Sequence, residues 1–139
     1  MYEDICHAIL NFDNFLIVTH VNPDGDAIGS SLGLNLSLRE MGKTSFLAYE
    51  SEIPEMFSFL NGMDLALIDP DIEDINPLVV IALDSADEKR IAPSIERIRR
   101  STKLINIDHH PTNPFYGDLN LVNPEANSTS SLVFQLLRQ

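Results

Sequence analysis

The sequence has no tryptophan, a single cysteine and few basic residues: 9 lysines and arginines stand against 21 aspartates and glutamates in 139 residues. One cysteine excludes a disulfide framework and a zinc site made wholly of thiolates. The formal net charge of -12 argues against a protein that holds long duplex DNA through a basic surface. No apolar run reaches the roughly 18–20 residues that cross a bilayer, so we expect no membrane partner.

The remaining composition is that of an ordinary globular protein. Hydrophobic residues make up 44% of the chain and charged residues 22%, and the length is typical of one domain with a real core. The first residues, MYEDICHAIL, lack the basic start and the long apolar stretch of a signal peptide. We therefore expect a cytoplasmic location.

Short apolar runs alternate with segments of helical periodicity along the chain. The runs that predict strands are 15–20, 44–49, 78–84 and 103–108. The segments that predict helices are 1–11, 26–41, 91–100 and 128–139. This alternation predicts a single α/β domain with a mostly parallel sheet and helices on both faces.

Acidic and histidine side chains follow three of the predicted strands at the point where each strand ends. They are His20, Asp24 and Asp26 after the first strand, Asp84 after the third, and Asp108, His109 and His110 after the fourth. Parallel sheets bind ligands at the carboxyl ends of their strands, so we expect these side chains to converge. In the loop after the first strand, Pro23 and Gly25 end the strand, and Asp26 is expected to be the N-cap of the next helix.

The combination of imidazole and carboxylate suits divalent transition metals such as manganese, iron, cobalt and zinc. The residues are too numerous for one ion, which favours two ions about 3.5–4 Å apart, bridged by a carboxylate and a hydroxide. Such a pair of ions clamps the attacking and leaving oxygens of a phosphate group. The sequence therefore predicts hydrolysis of a phosphoester or a phosphoanhydride.

Three segments resemble the first three motifs of the DHH phosphoesterases: THVNPDGDAIGSSLGL at 19–34, VVIALDSAD at 79–87 and NIDHHPTN at 106–113. They are most similar to the subgroup of oligoribonucleases and 3'-phosphoadenosine 5'-phosphate phosphatases. The later stretch FYGDLNLVNPEANSTSSLVFQLL at 115–137 also fits the family pattern. The resemblance therefore covers nearly the whole chain and implies an enzyme that acts on short RNA or on a nucleotide.

The resemblance also implies which residues bind the metal ions. It assigns His20 and Asp24 to a first ion, Asp26 and His109 to a second ion, and Asp84 to a bridging position between them. Family members favour manganese, so we expect two Mn²⁺ ions, with Mg²⁺ or Co²⁺ as alternatives. This preference agrees with the mixed nitrogen and oxygen ligands of the motif.

The resemblance further implies two catalytic residues, with His110 at the substrate phosphate and Asp108 orienting its neighbours. Asn22 is a candidate substrate-binding residue because it lies in the metal-binding loop. The small polar residues that open the last helix are further candidates: Ser128, Thr129 and Ser130. A helix N-terminus is a ready anion site, but such residues also serve simply as N-caps, and the sequence leaves both interpretations open.

Family enzymes carry a fourth motif and then a second, smaller domain that grips the substrate. We expect residues 1–139 to form the DHH catalytic domain, truncated before both, and to turn over poorly alone. Within the superfamily, a cyclic dinucleotide phosphodiesterase and a manganese pyrophosphatase remain alternatives. A non-catalytic metal- or nucleotide-binding module is the alternative from another class, and the sequence leaves a homodimer open.

Overall fold

In the computed structural model, which describes residues 1–68, 75–92, 100 and 103–139, seven strands form one sheet. The strands are β1 (Phe15–His20), β2 (Ser45–Tyr49), β3 (Ala66–Ile68), β4 (Val79–Leu83), β5 (Ile91–Ala92), β6 (Lys103–Asp108) and β7 (Leu119–Val122). The order across the sheet is β3-β2-β1-β4-β6-β7, and each of these neighbours pairs in parallel. The short β5 pairs antiparallel with the last two residues of β1.

The α-helices among the described residues are α1 (Tyr2–Asn11), α2 (Gly25–Glu40) and α3 (Thr129–Leu137). Short 3-10 helices occur at Glu55–Phe57, Met63–Leu65 and Glu88–Arg90. The part of the chain that the structure describes contains no helix with the length and apolar character that a membrane crossing requires.

All three of these α-helices pack against one face of the sheet. Residues of the helices share a buried cluster with Phe15 and Ile17 of β1 and with Ile81 of β4. The alternate residues of the strands, such as Val18 and Ala82, form a second cluster on the other face. Side chains of a strand alternate between the two faces, and both faces are therefore buried at the centre of the sheet.

The predicted α/β class, with a mostly parallel sheet in a single domain, is confirmed. All five residues of β4 are buried, as expected for a central strand that is apolar throughout. The helix predicted over 91–100 would cover the second face. Its first two residues form β5, and residues 93–99 lie outside the described part of the chain.

Candidate active site

Three of the predicted metal ligands lie where β1 passes into α2. His20 is the last residue of β1, and Asp24 immediately precedes α2. Asp24 is the N-cap of this helix, because its Oδ1 accepts hydrogen bonds from the backbone N–H groups of Asp26 at 3.0 Å and Ala27 at 3.1 Å. The prediction that Asp26 is the N-cap is therefore wrong. The helix starts one residue earlier than its apolar periodicity indicates, so Asp26 lies in the first turn with its carboxylate free for other contacts.

Asp84 follows β4 directly and occupies the centre of the site. Its side chain is only 2% exposed, and its backbone has a left-handed φ of 57°, which is uncommon outside glycine. A hydrogen bond of 3.0 Å from its N–H to the carbonyl of Ile107 holds this conformation. Backbone strain of this kind concentrates at functional sites.

Three imidazole–carboxylate pairs in the site have similar separations, and two of them include Asp84. His20 Nε2 lies 3.8 Å from Asp84 Oδ2, and His109 Nε2 lies 3.6 Å from Asp84 Oδ1 and 3.7 Å from Asp26 Oδ2. These distances are too long for hydrogen bonds. Two ligand atoms that bind one tetrahedral ion at about 2.1 Å lie about 3.4 Å from each other. The spacing therefore suits side chains that share a cation.

Two groups of potential ligands meet at Asp84. One group contains His20, Asp24 and Asp84, and the other contains Asp84, His109 and His110, with the ligand atoms of each group within 4.8 Å of one another. Asp84 is the only member that the two groups share. A carboxylate shared in this way has an oxygen within reach of both groups.

The two predicted histidine ligands are oriented through their Nδ1 atoms. His20 Nδ1 lies 2.8 Å from the carbonyl oxygen of Val21, and His109 Nδ1 lies 3.4 Å from that of Ala126. A carbonyl oxygen only accepts hydrogen bonds, so Nδ1 carries the proton in each ring and Nε2 presents a lone pair to the site. Histidine ligands of metal ions are commonly oriented in this way.

The first turn of α3 binds the acidic residues of the site. The backbone N–H groups of Thr129 and Ser130 donate to the two carboxylate oxygens of Asp26 at 2.7 Å and 2.8 Å, and the Thr129 hydroxyl donates to Asp84 Oδ1 at 2.8 Å. Ser128 is the N-cap of the helix and accepts from the N–H of Ser131. A carboxylate at a helix N-terminus is stabilised by the helix dipole.

The substrate-binding roles of Ser128, Thr129, Ser130 and Asn22 stay predictions. In the structure, the donors at the N-terminus of α3 are used by Asp26 and Asp84. Asn22 has a left-handed φ of 52° in the loop that carries Asp24. The loop therefore turns sharply here.

The last two predicted residues are adjacent to the ligand groups. Asp108 is fully buried, and its Oδ1 accepts hydrogen bonds from the N–H of His109 at 2.9 Å and from His110 Nδ1 at 2.7 Å. Asp108 thus contacts the backbone of His109 and the ring of His110. Beneath it lie Asn106 and Asn113, which the sequence reasoning missed. The signal that could have found Asn106 is a polar residue in an otherwise apolar strand.

The electrostatics of the site favour bound cations. Burial raises the pKa of the Asp84 carboxyl above its usual value, and the charges of Asp26 and Asp24 raise it further, against the hydrogen bond from Thr129 and the charge of His110. The hydrogen bond to Asp108 raises the pKa of His110, and the neighbouring carboxylates add to this effect, while burial opposes it. A divalent cation would offset the repulsion among these carboxylates.

Known proteins match this chain along most of its length. A family model described as "DHH family, N-terminal domain" matches residues 14–139. The chain is 39% identical over 122 residues to the "Bifunctional oligoribonuclease and PAP phosphatase NrnA" of Thermus thermophilus, a match that covers 87% of this chain and 35% of that protein. It is 34% identical to the protein of the same name from Bacillus subtilis, with 98% of this chain and 42% of the relative covered.

A solved structure also matches along almost the entire chain. The crystal structure of an exopolyphosphatase-related protein from Bacteroides fragilis superimposes with a TM-score of 0.87 at 31% identity, covering 99% of this chain and 42% of that one. The chain thus spans between 35% and 42% of the length of these relatives.

Proposed function

This chain belongs to the DHH family, and from that membership we propose that it is the catalytic domain of a metal-dependent phosphoesterase. The substrates we propose are short oligoribonucleotides, 3'-phosphoadenosine 5'-phosphate or both, because the relatives from Thermus thermophilus and Bacillus subtilis carry names for these activities. The observation that carries the proposal is the position of Asp84, which two groups of histidine and aspartate ligands share.

The residues fit a pair of Mn²⁺ ions. His20 and Asp24 would hold one ion and Asp26 and His109 the other, with Asp84 between them. Carboxylates and imidazoles together suit Mn²⁺, with Mg²⁺ or Co²⁺ as alternatives. When bound, such ions lower the pKa of water and polarise the phosphoryl oxygens.

The protein contributes orientation and charge to the reaction. Asp108 holds Nδ1 of His110 at 2.7 Å, so Nε2 is the nitrogen that donates a hydrogen bond to a phosphate oxygen when the imidazole is protonated. The hydrogen bond to Asp108 raises the pKa of His110, and a protonated imidazole stabilises the negative charge that develops on the phosphate. The Thr129 hydroxyl and the amides of α3 keep the carboxylates of Asp84 and Asp26 in place.

The test is an assay of the metal-free chain after addition of Mn²⁺, Mg²⁺, Co²⁺ or a chelator. The substrates are a short RNA, 3'-phosphoadenosine 5'-phosphate, a cyclic dinucleotide, pyrophosphate and polyphosphate. We expect slow Mn²⁺-dependent release of mononucleotide or phosphate from the first two. Asp84→Asn should abolish this release, whereas Asp87→Asn, at an exposed residue in the same motif, should retain it.

Any other result of this assay contradicts one part of the proposal. Wild-type rates in Asp84→Asn or in the presence of chelator would overturn the metal-dependent mechanism. Hydrolysis of only the cyclic dinucleotide, pyrophosphate or polyphosphate would overturn the substrate class. Binding of Mn²⁺ without hydrolysis of any substrate would indicate a non-catalytic binding module. The second domain, the cytoplasmic location and a homodimer stay predictions from the sequence.

A further inference from the structure

A buried polar network lies beneath the candidate active site. It consists of the side chains of Asn106, Asp108, Asn113 and Tyr116 together with the carbonyl of Ser85. Asn106 and Asp108 have no exposed surface, and Asn113 is 5% exposed. Polar groups at this depth are stable only when hydrogen bonds replace their lost hydration. The contacts within the network therefore determine how each of its side chains is oriented.

The side-chain amide of Asn113 has one orientation that satisfies its neighbours. Its Nδ2 lies 2.6 Å from Asp108 Oδ2 and 2.7 Å from Asn106 Oδ1, and its Oδ1 accepts the N–H of Phe115 at 2.8 Å. A carboxylate only accepts hydrogen bonds and a backbone N–H only donates them. Rotating the amide by half a turn would break the contact with Asp108 and the contact with the N–H of Phe115. Asn113 consequently donates to Asp108 from a fixed direction.

Asp108 transmits this constraint to His110. With Oδ2 held by Asn113, the other oxygen of Asp108 accepts from the N–H of His109 at 2.9 Å and from His110 Nδ1 at 2.7 Å. The carboxylate cannot rotate without losing its hydrogen bond from Asn113, His109 or His110. His110 Nδ1 must carry a proton to donate, so Nε2 is the nitrogen that remains available to a substrate.

We propose that Asn113 is a positioning residue for His110, acting through Asp108. Asn113 fixes the plane of the Asp108 carboxylate, and Asp108 in turn keeps His110 in its Nδ1–H tautomer and in one ring orientation. The inference rests on the proposed function, in which His110 contacts the substrate phosphate. Hydrogen-bond partners that act through a neighbour in this way orient active-site imidazoles in many enzymes.

The first readout is the tautomer of His110, measured by ¹⁵N NMR on the metal-free chain at about pH 9, above the usual titration range of imidazole. The wild type is expected to show the Nδ1–H tautomer. Asn113→Ala should move His110 towards the Nε2–H tautomer, which a free imidazole side chain prefers. Asn113→Leu keeps the approximate shape of the side chain without its donor, and it provides the same test if the alanine variant does not fold.

Two matched controls separate positioning from a general contribution to stability. Tyr116→Phe removes the hydroxyl that joins Asn106 to Ser85 but leaves the contacts of Asp108 intact. Asn120→Ala removes a side chain of the neighbouring strand β7 whose hydrogen bonds among the described residues are to the backbone of Gly117. Both variants should be less stable than the wild type and should keep the wild-type tautomer of His110.

The second readout is turnover in Mn²⁺. Asn113→Ala should lower kcat about 10- to 100-fold, with little change in KM, as is typical for the loss of a partner that orients an active-site residue. A wild-type tautomer in the variants of Asn113, or an equal shift in Tyr116→Phe, would overturn the proposal.

The two readouts also separate this proposal from the proposed function. A tautomer shift confined to the Asn113 variants, in a chain that hydrolyses no phosphoester, would support the positioning role and contradict the phosphoesterase. Hydrolysis by the wild type together with an unshifted tautomer in the variants of Asn113 would support the phosphoesterase and contradict the positioning role.

Discussion

The two ends of the parallel strands use their polar residues in opposite ways. At the amino end, the polar side chains bind the backbone of neighbouring segments. Lys43 Nζ donates to the carbonyls of Leu10 and Phe12 at 2.8 Å each, and Asp13 accepts the N–H of Thr44 at 2.6 Å. These contacts satisfy backbone groups where the chain enters β1 and β2, and they stabilise the fold without any ligand.

At the carboxyl end, the imidazoles of His20 and His109 lie near the carboxylates of Asp84 and Asp26 at distances too long for hydrogen bonds. Asp84 lies 3.6–3.8 Å from the nitrogens of His20 and His109, and burial raises its pKa with help from the charges of Asp26 and Asp24. Such an arrangement lowers the stability of the metal-free fold. The carboxyl end therefore has the side chains and the charge of a cation site, whereas the polar contacts of the amino end stabilise the fold.

Replacing Asp84 is expected to have the largest effect on stabilisation of the chain by Mn²⁺. Saturating Mn²⁺ should raise the free energy of unfolding of the wild type, because Mn²⁺ binds the folded state. Asp84→Asn should lose this increase. Without metal, Asp84→Asn should be as stable as the wild type or more stable by about 1 kcal/mol, because a buried charge is gone. Asparagine also tolerates the left-handed backbone at this position.

The measurement is urea unfolding with and without Mn²⁺, with Asp87→Asn as the control that keeps the rise in stability. A metal-free Asp84→Asn chain that is clearly less stable than the wild type would show that Asp84 serves the fold. The contrast between the two ends of the sheet would then not hold.

Asp26 is the residue at which stability and metal binding should coincide. Its carboxylate accepts both N–H groups at the start of α3, so Asp26→Ala should lower the free energy of unfolding by about 1–2 kcal/mol without metal. It should also weaken Mn²⁺ binding. Asp26→Asn retains one acceptor oxygen and should be intermediate in urea unfolding. Equal stability of the wild type and the alanine variant would contradict the capping role.

Lys43 tests the amino end. Lys43→Met removes a charged donor to two carbonyls while keeping most of the apolar stem, and it should destabilise the chain by about 1 kcal/mol in urea. Its affinity for Mn²⁺ should equal that of the wild type. Lys89→Met, at an exposed residue, is the control expected to change neither quantity. A weaker Mn²⁺ titration in Lys43→Met would show that the two ends are coupled.

Asn35 differs from the other polar residues at the amino end, because one of its buried polar atoms has no partner among the described residues. We expect its replacement to change stability only slightly. Its Oδ1 accepts from the Ser45 hydroxyl at 2.7 Å, but its Nδ2 is the buried side-chain donor without a hydrogen-bond partner among the described residues. Replacing both residues, as Asn35→Leu with Ser45→Ala, should leave stability unchanged or raise it by up to about 1 kcal/mol. Ser45→Ala alone should destabilise, and a double-mutant cycle in urea measures the difference.

Tyr49 gives the smallest effect, which is visible only at high pH. Burial raises the pKa of Tyr49 to about 12, although the hydrogen bond with Ser31 opposes this. Since the unfolded phenol ionises near pH 10, its contribution to stability is complete below that pH and is lost as the pH rises towards 12. Tyr49→Phe should therefore show a flatter decline of unfolding free energy in this alkaline range. An unchanged decline would contradict the assignment.

The sequence was sufficient to predict four of the seven strands, the mostly parallel pairing and the proximity of the acidic and histidine side chains at one edge of the sheet. Strand ends are marked by Asp84 and by Asp108 after apolar runs, and parallel strands bring such ends together. The contacts of Asp26 with α3 could not be predicted, because they join residues more than 100 positions apart. The role of Asn113 was hidden for a similar reason, since an asparagine in a loop ordinarily indicates only a turn.

The measurement that tests the central claim most directly is isothermal titration of the metal-free chain with Mn²⁺, repeated with Asp84→Asn. If Asp84 is shared by two cation sites, the wild type should bind two ions and the variant should lose both together. Two ions in the variant, or one ion in each protein, would contradict the shared site at the carboxyl end of the sheet.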